Sequence, residues 1–335
     1  MNMTSWLEKI KSEKNKKSMP ILSFPSVSLI GINVKQITSD SQLQAKGMTL
    51  IAKKYDTLAS VGMMDLSVEA EAFGTEIRFS DNEVPTVVGA LVSTPEAADT
   101  LEVPSLDKGR LMQYVEAIKL AKEQITDRPV FAGVIGPFSL VGRLMDVSVA
   151  MINCYDEPEM VHTVLEKVTD FLIKYINEYK KVGADGVLMA EPLAGMLSPM
   201  LAEEFSEPYV KKIIDAVQDD SFIIIYHNCG DNVKLMADSI INTGAAAYHF
   251  GNSVSMLDML EKMPKDKVVM GNVDPAGQIK NGTPESVKNA VFEIMSSCSK
   301  YPNFVISSGC DIPPESRFEN IDAFFEAVKE FYEKQ

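Results

Sequence analysis

Short apolar runs recur along the chain, each closing on a small, polar or proline residue before a longer helical pattern begins. Eight such runs stand out, at 20–25, 59–65, 130–137, 186–192, 222–230, 245–252, 268–275 and 304–314. Several are hydrophobic at nearly every position, as in Phe222-Ile223-Ile224-Ile225-Tyr226, which marks parallel strands buried on both faces. Between them the apolar period becomes helical. Residues 107–125 place Leu111, Tyr114, Val115 and Ile118 on one stripe, and residues 158–182 repeat this with Val161, Val164, Leu165, Val168, Phe171, Leu172 and Tyr175. His162 falls beside that second stripe and reads as a surface residue. A last helix over 319–334 turns Ile321, Phe324, Phe325, Val328 and Phe331 inward. Ser198-Pro199 and Thr283-Pro284-Glu285 each pair a capping hydroxyl with proline at the first helical position.

Strands alternating with helices in this way predict an α/β fold, a (β/α)8 TIM barrel. Residues 74–91 predict a β-hairpin inserted after the second strand, built from Thr75-Glu76-Ile77-Arg78-Phe79 and Pro85-Thr86-Val87-Val88. No linker rich in proline, glycine or serine divides the chain. Residues 1–335 are therefore expected to form one domain, with 1–18 as an N-terminal helical extension around Trp6-Leu7-Glu8-Lys9-Ile10-Lys11. A doubly wound open sheet is the alternative, but it would usually carry a glycine-rich phosphate loop after its first strand. Phe24-Pro25-Ser26-Val27-Ser28 is no such loop.

Charge narrows the function. The chain carries 32 basic and 47 acidic residues, a net −15. Nucleic-acid binders concentrate positive charge against phosphates, so no nucleic-acid partner is expected, and the excess acid reads as a solvated surface. No apolar span approaches the roughly 18 residues that would cross a membrane. No secretory signal opens the sequence, so Cys154, Cys229, Cys298 and Cys310 are expected to be reduced thiols in a cytoplasm.

Barrel chemistry gathers where the C-terminal ends of the strands meet. Asp65, Glu191, His227 with Cys229, His249, Asn272 with Asp274, and Cys310 with Asp311 all leave apolar runs at that end. Residues i and i+2 of a strand point to one side, so His227 and Cys229 can aim at a common point. An imidazole nitrogen with thiolate sulfur suits zinc, and Cys310, closing a second run, is the candidate third ligand. Three protein ligands leave one position open, the catalytic arrangement, here for a thiol substrate. Taken singly, the His-x-Cys pair is equally a buried thiol beside a hydrogen-bonded histidine, and Gly271-Asn272-Val273-Asp274-Pro275 is equally an Asx turn.

Three segments carry a family resemblance: Tyr226-His227-Asn228-Cys229-Gly230, Gly271-Asn272-Val273-Asp274-Pro275 and Ser308-Gly309-Cys310-Asp311-Ile312-Pro313-Pro314. With Gly136-Pro137-Phe138-Ser139 and Glu191-Pro192, they resemble the uroporphyrinogen decarboxylase superfamily, and within it the methylcobamide:coenzyme M methyltransferase branch. The resemblance implies zinc on His227, Cys229 and Cys310. It also implies transfer of a methyl group from a methylated corrinoid (methylcobalamin) to a small thiol such as coenzyme M, activated as a zinc-bound thiolate. On that reading Glu191 or Asp274 carries away the thiol proton or orients a ligand. His249 stands where some relatives place a glutamate near the metal, and is a candidate fourth ligand. Asp65, Met189 and Asn272 are expected at the corrinoid site, and the apolar Met63, Met64, Met189 and Met196 near strand ends would suit a flat macrocycle but read equally as core.

A corrinoid-binding Asp-x-His-x-x-Gly signature is absent, since Ile225 sits where the aspartate would be, so a separate corrinoid protein is expected to present the cofactor. The decarboxylases neutralise porphyrinogen carboxylates with arginines near the first strand, whereas residues 20–34 contain none. Decarboxylation of a tetrapyrrole is therefore the second reading, and a non-catalytic barrel that binds a corrinoid protein the third.

Overall fold

Alternation along the apolar runs decides which way each side chain faces, and the computed structural model, which describes residues 1–334, follows it closely. Seven parallel strands form one sheet in chain order: β1 (Ser60–Val61), β4 (Val130–Ile135), β5 (Gly186–Ala190), β6 (Ile223–Asn228), β7 (Ala247–Phe250), β8 (Val268–Val273) and β9 (Phe304–Ser308). Between β1 and β4 lies the expected hairpin, β2 (Glu76–Arg78) antiparallel to β3 (Thr86–Val88). Leu188, Ile225, Ala247, Met270 and Val305 turn into the barrel, while Val187, Met189, Ile224, Tyr248 and Ile306 turn outward into the core against the helices. The chain-order pairing excludes the doubly wound alternative, whose strand order reverses part-way across the sheet.

The first apolar run is not a strand, although it occupies the eighth place in the barrel. Residues 18–22 lie between β9 and the approach to β1, bonded to both: Met19 N–H donates to the Ile306 carbonyl (3.1 Å) and Leu58 N–H to the Ser18 carbonyl (2.9 Å). Pro20 has no N–H to give a ladder. Two serine hydroxyls take over, Ser308 Oγ accepting from Ile21 N–H (3.0 Å) and Ser307 Oγ donating to the Met19 carbonyl (2.6 Å). Backbone bonds and two serine hydroxyls together close the barrel on that side.

A stopper fills the opposite end. The N-terminal helix Met3–Ser12 is capped by the Asn2 side chain and packs Met3, Trp6 and Ile10 into the barrel's interior cluster, with Trp6 5.8 Å from Phe131 between ring centroids. The remaining helices match the stripes, at Leu111–Gln124, Pro158–Lys181 and Phe318–Glu333, and both proline-marked caps form, with Ser198 and Thr283 accepting from Leu201 N–H and Ser286 N–H. His162 departs from expectation. Neighbouring helices half-bury it, leaving its side chain 28% exposed, and its ring stacks on Phe205 at 4.5 Å and bonds to the Tyr209 hydroxyl at 2.7 Å.

Candidate metal centre

β6 delivers Ile223, Ile225 and then His227 to the barrel interior, so the imidazole is the last inward side chain before the rim, and it is buried. Cys229 is the next residue with the same phase, just beyond the strand. To reach the centre it lies against the exit of β7, where a Cβ on Gly251 would stand 2.4 Å from that of Cys229; only glycine leaves the room. Cys310 arrives from two residues past β9. His227 Nε2 and Cys310 Sγ are 3.5 Å apart, and one ligand atom from each of the three residues lies within 4.8 Å of the others.

The donor set fits zinc. A tetrahedral ion with Zn–N of about 2.05 Å and Zn–S of about 2.3 Å holds nitrogen and sulfur roughly 3.6 Å apart and two sulfurs roughly 3.8 Å apart. Both sulfurs are half-buried while the imidazole is buried. A hydrogen bond from Cys310 holds the Cys229 thiol below its usual range, and that bond together with burial pushes Cys310 up to about 12. Cys154 and Cys298 are buried elsewhere, and burial raises both, so neither resembles a ligand.

His249 sits directly behind His227, paired with it across β6 and β7. Its Nδ1 lies 2.8 Å from His227 Nδ1 and its Nε2 2.8 Å from Ser307 Oγ. Both nitrogens are taken, so the fully buried ring has none to offer as a fourth ligand. Burial and the adjacent His227 ring hold it well below the usual histidine range, which keeps it neutral.

Asp311, next to Cys310, has a buried Oδ1 with no partner among the described residues, whereas Glu191, Asp65, Asn272 and Asp274 are placed outside this cluster with partners that explain them. Glu191 leaves β5 facing the helices, where its carboxyl accepts from Phe138 N–H (2.6 Å), Ser139 N–H (3.1 Å) and Ser139 Oγ–H (2.8 Å) and so caps the helix Pro137–Met145, whose Gly136 has no side chain to do it. Burial pushes Glu191 up to about 7 against the pull of those bonds. Asp65 is locked to Arg110 (2.6 Å), with the Tyr114 and Ser67 hydroxyls completing its partners. Asn272 holds the loop after β7 through the carbonyls of Gly251 and Val254, both at 2.8 Å. Asp274 caps the turn Pro275–Lys280 through Ala276 and Gly277 N–H, which is the Asx-turn reading. Met189 is core, as are Met63 and Met64; Met196 alone of that group is exposed. Sequence reasoning missed Ser307, since a serine ending an apolar run carries no signal of what its hydroxyl meets, and it missed Met200 and Leu235, which join Met196 on the rim.

A family model for uroporphyrinogen decarboxylase (URO-D) matches residues 25–331. The chain belongs to the uroporphyrinogen decarboxylase family. Within that family it is 26% identical to a Methylcobamide:CoM methyltransferase MtbA of Methanosarcina acetivorans, covering 98% of this chain and 99% of the relative. It is also 26% identical to a uroporphyrinogen decarboxylase of Christiangramia forsetii, over 82% of this chain and 80% of that one. A solved structure described as a methyltransferase from Methanosarcina mazei superposes with a TM-score of 0.86 at 24% identity, covering 99% of this chain and 98% of the other, which establishes the shared barrel. Membership admits both chemistries at equal identity, so the choice between them falls to the site. Among the described residues, no helix is long and apolar enough to cross a membrane.

Proposed function

We propose that this protein is a zinc-dependent methyltransferase that moves a methyl group from a methylated corrinoid to a small thiol. The observation that carries the reading is the meeting of His227 Nε2, Cys229 Sγ and Cys310 Sγ at the C-terminal rim, with both sulfurs only half-buried. Full-length similarity to a relative named as a methylcobamide:CoM methyltransferase supports it, and coenzyme M is the acceptor that name suggests. Against decarboxylation of an acidic tetrapyrrole stand the absence of arginine in residues 20–34 and the net charge of −15.

Zinc bound there supplies a lowered thiol pKa, so that a substrate with an ordinary value of about 8.5 is present as the thiolate at neutral pH. Everything else is the work of the chain. His227 is held from behind by His249, and Cys229 is brought in by the glycine at position 251. Glu191, Asp274, Asp65 and Asn272 hold the rim loops and helix starts in register, and none is assigned a proton.

The corrinoid is a substrate brought by a carrier protein. Met196, Met200 and Leu235 are 53%, 63% and 68% exposed in the connections and short helices following β5 and β6. Those connections touch the Cys229 segment: a Cβ on Gly195 would stand 2.7 Å from the Gly230 Cα, and Asn232 Nδ2–H donates to the Met196 carbonyl at 3.1 Å. An apolar, methionine-rich edge beside the metal site suits a carrier that must lower a flat macrocycle onto it. The test is to mix zinc-loaded protein with free methylcobalamin and a panel of thiols, coenzyme M among them, and to follow Co(I) by absorbance. Thiol-dependent Co(I) formation is expected. Its absence, together with loss of carboxyl groups from a porphyrinogen, favours the decarboxylase reading.

A further inference from the structure

We infer that His249 and Ser307 form a relay that fixes the tautomer of His227 and presents its Nε2 lone pair to the metal. The Met19 carbonyl can only accept. Ser307 Oγ lies 2.6 Å from the Met19 carbonyl, so the single hydroxyl proton of Ser307 is spent there. At its 2.8 Å contact with His249 Nε2 the serine oxygen must then accept, which puts the proton of His249 on Nε2. A neutral imidazole carries one N–H, and nothing anionic touches this buried ring to hold a second, so His249 Nδ1 is an acceptor. Facing it at 2.8 Å, His227 Nδ1 must be the donor. His227 Nε2 is left unprotonated, and that is the atom 3.5 Å from Cys310 Sγ.

Histidine ligands commonly give their second N–H to a carboxylate or a carbonyl, which fixes ring orientation. Here the carbonyl acts at two removes, through a serine and a second imidazole, and the site gains no extra negative charge beside its two sulfurs. Met19 belongs to the segment that closes the barrel, so the same hydroxyl that completes the eighth place in the wall also orients the metal ligand. His249 and Ser307 are positioning residues in this account; they touch neither metal nor substrate.

The inference rests on the zinc reading for its purpose, but its geometry is testable without metal. The chain has three histidines, so 15N-histidine spectra of the metal-free protein, assigned with His162→Gln, report each tautomer directly. The expected result is Nδ1–H on His227 and Nε2–H on His249; the opposite pair of tautomers, or a doubly protonated His249, overturns the relay. A second arm measures zinc affinity by chelator competition. His249→Leu is expected to weaken zinc 10- to 100-fold, whereas His249→Asn, whose side-chain oxygen occupies the Nδ1 position, restores most of the loss. Ser307→Ala should fall between them and mix the His227 tautomers in the spectra. Equal affinities in wild type, His249→Leu and His249→Asn, or equal losses in both variants, overturn the relay as a tautomer device. A wild-type protein with the expected tautomers that binds no zinc sinks the metal reading and leaves the relay standing.

Discussion

Glu69 is a carboxyl group sealed into the core, with Ile135 N–H on one oxygen (3.1 Å) and no partner on the other. Burial is the main cause that pushes it up from 4.5 to about 7. The sign follows from proton counts. Below pH 4.5 both folded and unfolded chains hold the proton and the group contributes nothing. Between there and pH 7 the unfolded chain releases it while the folded chain keeps it, so stability falls as pH rises, by about 3 kcal/mol in all. Glu69→Gln is expected to match wild type near pH 4.5 and to exceed it by up to that amount at pH 8, measured by denaturant unfolding at both values. A gap independent of pH would contradict the burial account. At this scale the sequence was legible where chemistry interrupts an apolar run. His227, Cys229 and Cys310 stand out because a hydrophobic strand has no other use for them at its end. Glu191 and Asp274 carried the same signal for a different reason, since helix starts also need acceptors and lie at the same strand exits.

At the scale of elements, seven of the eight apolar runs became strands, and the exception has a stated cause. Pro20 removes a ladder donor, and what replaces the ladder is a pair of hydroxyls that no pattern of hydrophobic residues reveals. Ser308→Ala strips Ile21 N–H of its acceptor in a buried place, so it should lower the unfolding free energy by about 1–3 kcal/mol. A change below about 0.5 kcal/mol would mean that packing alone holds the segment. The loop after β7 makes a sharper test of the site. Gly251→Ala pushes a methyl group into Cys229, and the carbonyls tied to Asn272 keep that loop from retreating. The variant is expected to fold yet lose at least tenfold in zinc affinity by chelator competition; unchanged affinity would show that Cys229 is free to move.

For the whole molecule, the barrel's two ends have separate tasks. The N-terminal helix plugs one with Met3, Trp6 and Ile10, and the other holds three donors beside an apolar edge on the β5 and β6 side. Such an edge was only partly legible, because exposed and buried methionines look alike in sequence: Met189 proved to be core and Met196 rim. Charge placed on that rim by Leu235→Glu with Met200→Glu should raise KM for a carrier-bound methylcorrinoid about tenfold, as loss of roughly 1.4 kcal/mol of docking energy would. Turnover of free methylcobalamin should be unaffected; a parallel loss with both donors would place the rim in the chemistry and not in docking. The central claim is that β6 and β9 bring one nitrogen and two sulfurs to a single cation. Its most direct test is zinc content of the purified wild type beside Cys229→Ser and Cys310→Ala, each checked for intact folding by circular dichroism. The account predicts stoichiometric zinc in the wild type and its loss from both folded variants, whereas a metal-free wild type, or variants that retain full zinc, would contradict it.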